Sequence, residues 1–257
     1  MSGEAAPNRR ITRLGGADAL GFLQGLTSND LMPLGKGPGI VWTALLTPQG
    51  KYLADFFVVN TGEALLLDLP DAIADATLRR LAMYRLRADV QFLPSADRVR
   101  RGLGPVPPDA LPDPRHPALG WRAYGPAVGT APTIDWDAIR VAHLIPESGV
   151  ELIPEETYIL EAGFERLHGV DFRKGCYVGQ EVTARMKHKT DLRKGLVRVA
   201  ITGTAAVGSP VLGDGKEVGR IFTQSGGMAI AHLRHDRIGL DLTAGDARLV
   251  ADPDAPA

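Results

Sequence analysis

The chain has 257 residues, 44% of them apolar, enough for one or two domains with substantial cores. Its 29 basic and 30 acidic residues leave a formal charge of −1, which argues against a surface coated for nucleic acid, and no apolar run approaches the roughly 18 residues that a membrane span needs. The single cysteine forbids an internal disulfide and points to a reducing compartment, while the polar first ten residues, with Glu4 among them, lack the apolar stretch of a secretory signal.

In chain order, Leu20, Phe22, Leu23 and Leu26 share one side of a helix over residues 17–26, which Thr27-Ser28-Asn29-Asp30 ends. Residues 40–46, 52–59 and 64–69 read as three strands joined by turns at Pro48-Gln49-Gly50 and Asn60-Thr61-Gly62. Asp71 is placed to cap a helix running to about Tyr84, with Ile73, Leu78, Leu81 and Tyr84 at helical spacing, and residues 89–93 return as a strand. That order predicts an antiparallel sheet with helices on one face, hence α+β. Residues 100–132 are crowded with Pro and Gly and read as irregular structure. From Lys194 onward, strand-like segments at 196–201, 207–212, 217–223, 228–233 and 248–251 alternate with glycine-rich turns and predict a small β-barrel, followed by a frayed tail over 251–257. The expected domains are residues 1–99, 100–190 and 191–257.

The most informative stretch is Lys174-Gly175-Cys176-Tyr177-Val178-Gly179-Gln180-Glu181. It sets the only thiol between two glycines and beside a cation, with a short helix beginning near Val182 and Gln180 and Glu181 in its first turn. A neighbouring lysine and a helix N-terminus favour the thiolate, and glycine permits turn geometry and close approach of a ligand. The plain alternative is a cysteine acting as a small buried hydrophobe. Between Phe164 and Arg198, nine basic residues face four acidic ones, 9 − 4 = +5, which suggests a site for an anionic ligand. The six histidines show no pairing with the cysteine at ligand spacing, so no resident metal site is expected, and no dinucleotide or phosphate-loop fingerprint is present.

The octet resembles the K-G-C-Y-x-G-Q-E signature of YgfZ-type folate-binding proteins, relatives of the aminomethyltransferase (T-protein) of the glycine cleavage system. Similarity extends to Gly16-Ala17-Asp18-Ala19, to Phe22-Leu23-Gln24-Gly25 with Thr27-Ser28-Asn29-Asp30, to Thr47-Pro48-Gln49-Gly50-Lys51 with Asp55, to Tyr84-Arg85-Leu86-Arg87-Ala88-Asp89-Val90, and to the segment from Arg140 to Glu151. The resemblance implies ferredoxin-like antiparallel sheet units of the T-protein fold plus the C-terminal barrel, with residues 100–190 as an abbreviated second α+β unit carrying the octet.

It further implies a tetrahydrofolate-binding accessory protein that uses Cys176, with Lys174, to assist assembly or repair of 4Fe-4S proteins, tRNA-modifying enzymes included. On the same grounds Asp55, Tyr84, Arg85, Gln180 and Glu181 are the expected folate contacts, and Gly175, Tyr177 and Gly179 shape the loop. Implied partners are iron-sulfur scaffold or carrier proteins and their client enzymes, in a bacterial cytoplasm or alternatively a mitochondrial matrix. One thiolate is too few for a cluster, which generally takes four, so Cys176 would be a transient single ligand. The alternative reading is a tetrahydrofolate-dependent aminomethyltransferase. The pair Ala54-Asp55 counts against it, because T-proteins carry two adjacent acids in that hairpin.

Overall fold

The computed structural model describes residues 3–189 and 191–252. The chain folds as two compact units, Met1–Thr133 with Glu165–Glu181, and Ile134–Phe164 with Val182–Ala257. The first begins with β1 (Glu4–Ala5), β2 (Arg9–Gly15), α1 (Ala19–Gln24), β3 (Gly39–Leu46), β4 (Tyr52–Asn60), β5 (Leu65–Pro70) and α2 (Asp71–Tyr84). It continues through β6 (Gln91–Pro94), β7 (Arg98–Gly102), β8 (Ala110–Pro112) and β9 (Trp121–Gly125).

These strands make two antiparallel sheets, one in the order β3-β4-β5-β2-β6 and one in the order β1-β7-β9-β8. Side chains alternate along a strand, so β4 presents two different faces. Ala54, Phe56 and Val58 join Leu45, Leu67 and Leu69 in an apolar cluster with Leu23 of α1 and with Ala74 and Leu81 of α2. Phe57 faces the other way, and its cross-strand neighbours are Trp42 and Asp68.

That second face buries a charged cluster among apolar side chains such as Ile11, Trp42, Val59 and Leu66. Fully buried Asp68 takes Arg9 Nε at 2.6 Å, Arg122 Nη2 at 2.6 Å and the Tyr124 hydroxyl at 2.9 Å. Arg122, Arg115 and Arg9 lie 4.4, 4.9 and 5.5 Å from the Phe57 ring centroid, within cation–π range. Burial alone would raise the Asp68 pKa, but the guanidiniums of Arg9 and Arg122 outweigh it and hold the carboxyl below the usual range. Asp113 is held low in the same way by Arg115 and Arg122.

In the second unit, α3 (Trp136–His143) is capped by Asp135, whose carboxylate accepts from Ala138 N at 2.9 Å. The boundary between units falls within α4 (Gln180–Lys189). Then β10 (Lys194–Thr202), β11 (Pro210–Gly213), β12 (Lys216–Ser225), β13 (Met228–Arg234), β14 (Leu242–Ala244) and β15 (Ala247–Ala251) close a barrel in the order β10-β13-β12-β11-β14-β15. Arg140 ties α3 to this barrel, donating to Glu151 at 2.9 Å and to Thr223 of β12 at 2.9 and 3.0 Å.

The α+β class and the barrel agree with expectation, and three details do not. Residues 100–132 hold three strands where irregular chain was expected, because β8 is short and proline-bounded and because β9 buries Arg122 in the charged cluster, which no hydropathy pattern reveals. Consequently residues 100–190 form no unit of their own, and the 1–99, 100–190 and 191–257 boundaries give way to the two units above. Asp71 occupies the first helical turn rather than the capping position and pairs with Arg10 at 2.7 Å. Most of the expected tail, residues 253–257, lies outside the described residues.

Asp68→Ala is expected to cost roughly 3–5 kcal/mol, since it strands Arg9 and Arg122 in a buried cluster. For Asp68→Asn, the stability gap to wild type measured by denaturant titration should be full above about pH 4 and narrow as the pH falls further, because a depressed carboxyl pKa contributes only where the unfolded state has lost its proton. A gap that stays constant into acid would contradict the ionised pair.

Candidate functional site

The site is built where the returning segment 165–181 meets α1 and the β3–β4 hairpin, all within the first unit. Ser28, just past α1, donates from its hydroxyl to Gly169 O at 2.7 Å and accepts from Asp171 N at its backbone oxygen at 3.0 Å. Asn29 donates from its side-chain amide to His168 O at 2.6 Å and to Trp42 O at 2.8 Å. Lys174 then completes the attachment. Its ammonium donates to Gln24 O at 2.6 Å and to Thr27 O, carbonyls in and just past the last turn of α1, and stands 5.0 Å from the centroid of the Tyr177 ring.

Cations suit a helix C-terminus, where backbone carbonyls lack intrahelical partners. Burial nevertheless pushes the Lys174 pKa down to about 8, against the upward pull of Asp30 and Asp171. Lys174 is therefore turned inward and anchors the loop. The cation expected beside the thiol is engaged by the α1 carbonyls instead.

On the other side of the thiol, Tyr177 is buried and Val178 packs on the apolar cluster of the first sheet. Gly179 has φ of +84°, and a Cβ there would sit 2.6 Å from Thr47 O and 2.9 Å from Leu46 Cβ, so the loop lies flat on the hairpin. Gly175 has φ of +90° with nothing within 4 Å of a built Cβ. Between these two anchored ends Cys176 is exposed. Gln180 opens α4, where Glu181 occupies the first turn as expected and is exposed. Cys176 is thus placed at the surface and not as a buried hydrophobe.

Asp55 is 5% exposed, with one oxygen accepting from Trp42 Nε1 and the other from the Tyr52 hydroxyl, both at 2.8 Å. Tyr84 and Arg85 lie exposed at the end of α2, and among the described residues no hydrogen bond or ring contact joins either to Asp55. The expected folate contacts are thus not drawn into one pocket by direct contacts. The basic stretch is divided between the two units, with Arg198 of β10 paired to Asp252 at 2.6 Å. Among the described residues no group of three His, Cys, Asp or Glu side chains is arranged to hold a metal ion, and no helix is long and apolar enough to cross a membrane.

Gln24, Thr27, Ser28 and Asn29 are legible as motif residues, yet their part in holding the cysteine loop is not. The only cue is polar density straight after an amphipathic helix, which reads equally as a helix stop.

This architecture is the aminomethyltransferase (T-protein) fold. The chain superposes on glycine cleavage system aminomethyltransferase T from Bartonella henselae with a TM-score of 0.75 over 96% of this chain and 83% of that one, at 14% identity, a likeness of fold alone. Residues 193–256 match the profile described as the CAF17 C-terminal beta-barrel domain.

In sequence the chain is similar to the mitochondrial iron-sulfur cluster assembly factor IBA57 of Mus musculus, 29% identical over 289 residues that cover 95% of this chain and 81% of that protein. It is also 29% identical to the mitochondrial IBA57 homolog of Mycosarcoma maydis over 74% of this chain and 55% of that one, so it spans about half the length of this fungal relative.

Gly179→Ala is expected to destabilise the first unit by more than about 2 kcal/mol, because strain at positive φ adds to a backbone clash with Thr47, whereas Gly175→Ala should cost only the strain, about 1 kcal/mol. Chemical denaturation of both variants checks this. Equal losses would mean that the loop does not rest on the hairpin.

Proposed function

We propose that this protein is an iron-sulfur cluster assembly factor of the IBA57 and YgfZ kind: a tetrahydrofolate-binding accessory protein whose Cys176 assists assembly or repair of 4Fe-4S proteins, tRNA-modifying enzymes among them. The observation that carries this reading is the exposed thiol held outward on a loop attached at both ends. The names of the mouse and fungal relatives support the iron-sulfur part.

With one cysteine in the chain, a bound cluster needs its remaining thiolates from elsewhere. Cluster handling is then a bridged, transient event, with Cys176 one ligand and a scaffold, carrier or client enzyme supplying the others. A thiolate at an accessible position also exchanges readily, as a transfer ligand must. A reducing compartment follows from the same chemistry, either a bacterial cytoplasm or, as the relatives' names suggest, mitochondria.

The folate part of the proposal rests on the fold and on the resemblance of the octet. Asp55 fits it less directly than the bare sequence suggests: it is buried, and Trp42 and Tyr52 each donate to one of its oxygens, so a pterin contact there has to use the remaining acceptor capacity of a buried carboxylate. Aminomethyl transfer is the weaker reading for the same reason. Ala54 stands where T-proteins carry one acid of the pair and sits in the apolar cluster, so Asp55 is the single carboxylate of that hairpin pair and is buried.

Cys176→Ser and Cys176→Ala should retain wild-type stability within about 0.5 kcal/mol and unchanged tetrahydrofolate affinity, while iron-sulfur enzyme activities fall in cells that carry only the variant. Undiminished activity in such cells would end the proposal. Asp55→Asn keeps the local packing, and if Asp55 reads the pterin it should weaken tetrahydrofolate at least about tenfold in a fluorescence titration. An unchanged affinity would take Asp55 out of the site.

A further inference from the structure

The exit of α2 breaks several local rules at once. Between Ala76 and Ala88 there are four arginines, Arg79, Arg80, Arg85 and Arg87, and no acidic residue. All four are exposed. The acids that flank the segment are occupied: Asp71 and Asp75 pair with Arg10, while Asp89 accepts from Ala17 N. Among these arginines stand Met83, 78% exposed, Tyr84, 40%, and Leu86, 89%.

Leu86 also has φ of +44°, a left-handed conformation that residues other than Gly, Asn and Asp adopt at a cost. Leu86 directly follows the C-cap Arg85, so its left-handed turn ends α2, a place that glycine or asparagine usually fills; what has no structural return is the leucine side chain itself, which the turn leaves in solvent.

We infer that this end of α2 is a docking surface for a protein partner with an acidic surface around an apolar depression, Leu86 and Met83 being the anchors and the four arginines the charged rim. Arg, Tyr and Met are the residues that protein interfaces favour, and an unbalanced cationic rim selects an acidic complement. A nucleic-acid strand fits less well, because Tyr84 is the one aromatic ring available for stacking and the two most exposed side chains are aliphatic. A bilayer surface fits less well too, since the apolar side of α2, at Ala74, Leu78 and Leu81, is already packed in the core and cannot lie in lipid. This surface goes beyond the thiol chemistry and stands whether or not Cys176 handles a cluster.

The test is photo-crosslinking of the full chain in cells, with benzoylphenylalanine in place of Leu86 and, as a control, in place of Val207, which is 60% exposed in the other unit. The expected adduct is one protein, attached through a peptide rich in Asp or Glu and not captured by the control. That protein, purified, should bind the wild-type chain with salt-sensitive affinity. The affinity should fall at least about tenfold with Leu86→Ser and with Arg79→Glu/Arg80→Glu, variants of solvent-exposed side chains that should leave the melting temperature unchanged. It should recover when acids of the partner are replaced by lysine against the glutamate variant. Adducts only to RNA, lipid or a second copy of this chain, the same adducts from both probes, no adduct, or affinities within about twofold of wild type would each overturn the inference.

Discussion

The contact on which the functional loop depends is the ammonium of Lys174 seated on the carbonyl oxygens of Gln24 and Thr27. It joins positions 150 and 147 residues apart and fixes where the chain returns to the first unit after visiting the second. The contact carries a cost, for burial opposes the charged form and lowers its pKa to about 8. Two carbonyl acceptors at the end of α1, the face of Tyr177 and the field of Asp30 and Asp171 offset that opposition. Once Lys174 is seated and Gly179 rests on the hairpin, Gly175 and Cys176 form the short span left over, and that span points to solvent.

The same geometry explains why the two glycines of the motif differ in kind. Gly179 is required by a neighbour: any Cβ would collide with Thr47 and Leu46. Gly175 is required only by its φ, since the space beside it is open. The bridging role proposed for Cys176 calls for an open side next to an exposed thiol, and Gly175 leaves that side unfilled.

Much of this architecture is legible in the amino-acid sequence. The meander from β3 to β5 and helix α2 follow from hydrophobic runs and spacing, and the barrel follows from strand-length segments between glycine turns. The octet singles out Cys176 through residue types alone. What stays hidden is polar. Strand β9 carries Arg122 into a buried charged cluster, so its inward face reads as surface. Lys174 reads as a partner for the adjacent thiol, because sequence proximity suggests contact, yet its long flexible side chain reaches carbonyls far away in the chain instead. Asp55 reads as a ligand contact or a solvent-facing strand residue, and what no strand pattern reveals is that it is buried, with Trp42 and Tyr52 donating to its oxygens.

The proposed role of Cys176 requires a docked loop that presents the thiol in the native state. The most direct measurement is the rate at which a small thiol reagent modifies the folded protein, set beside the rate for the same chain unfolded in denaturant, with Lys174→Met as the comparison. The native chain should be fully modified at a rate within about tenfold of the unfolded one, with circular dichroism unchanged, and Lys174→Met should show faster amide exchange across residues 169–179. Protection of the native thiol by several orders of magnitude, or loop exchange indifferent to Lys174, would contradict that role.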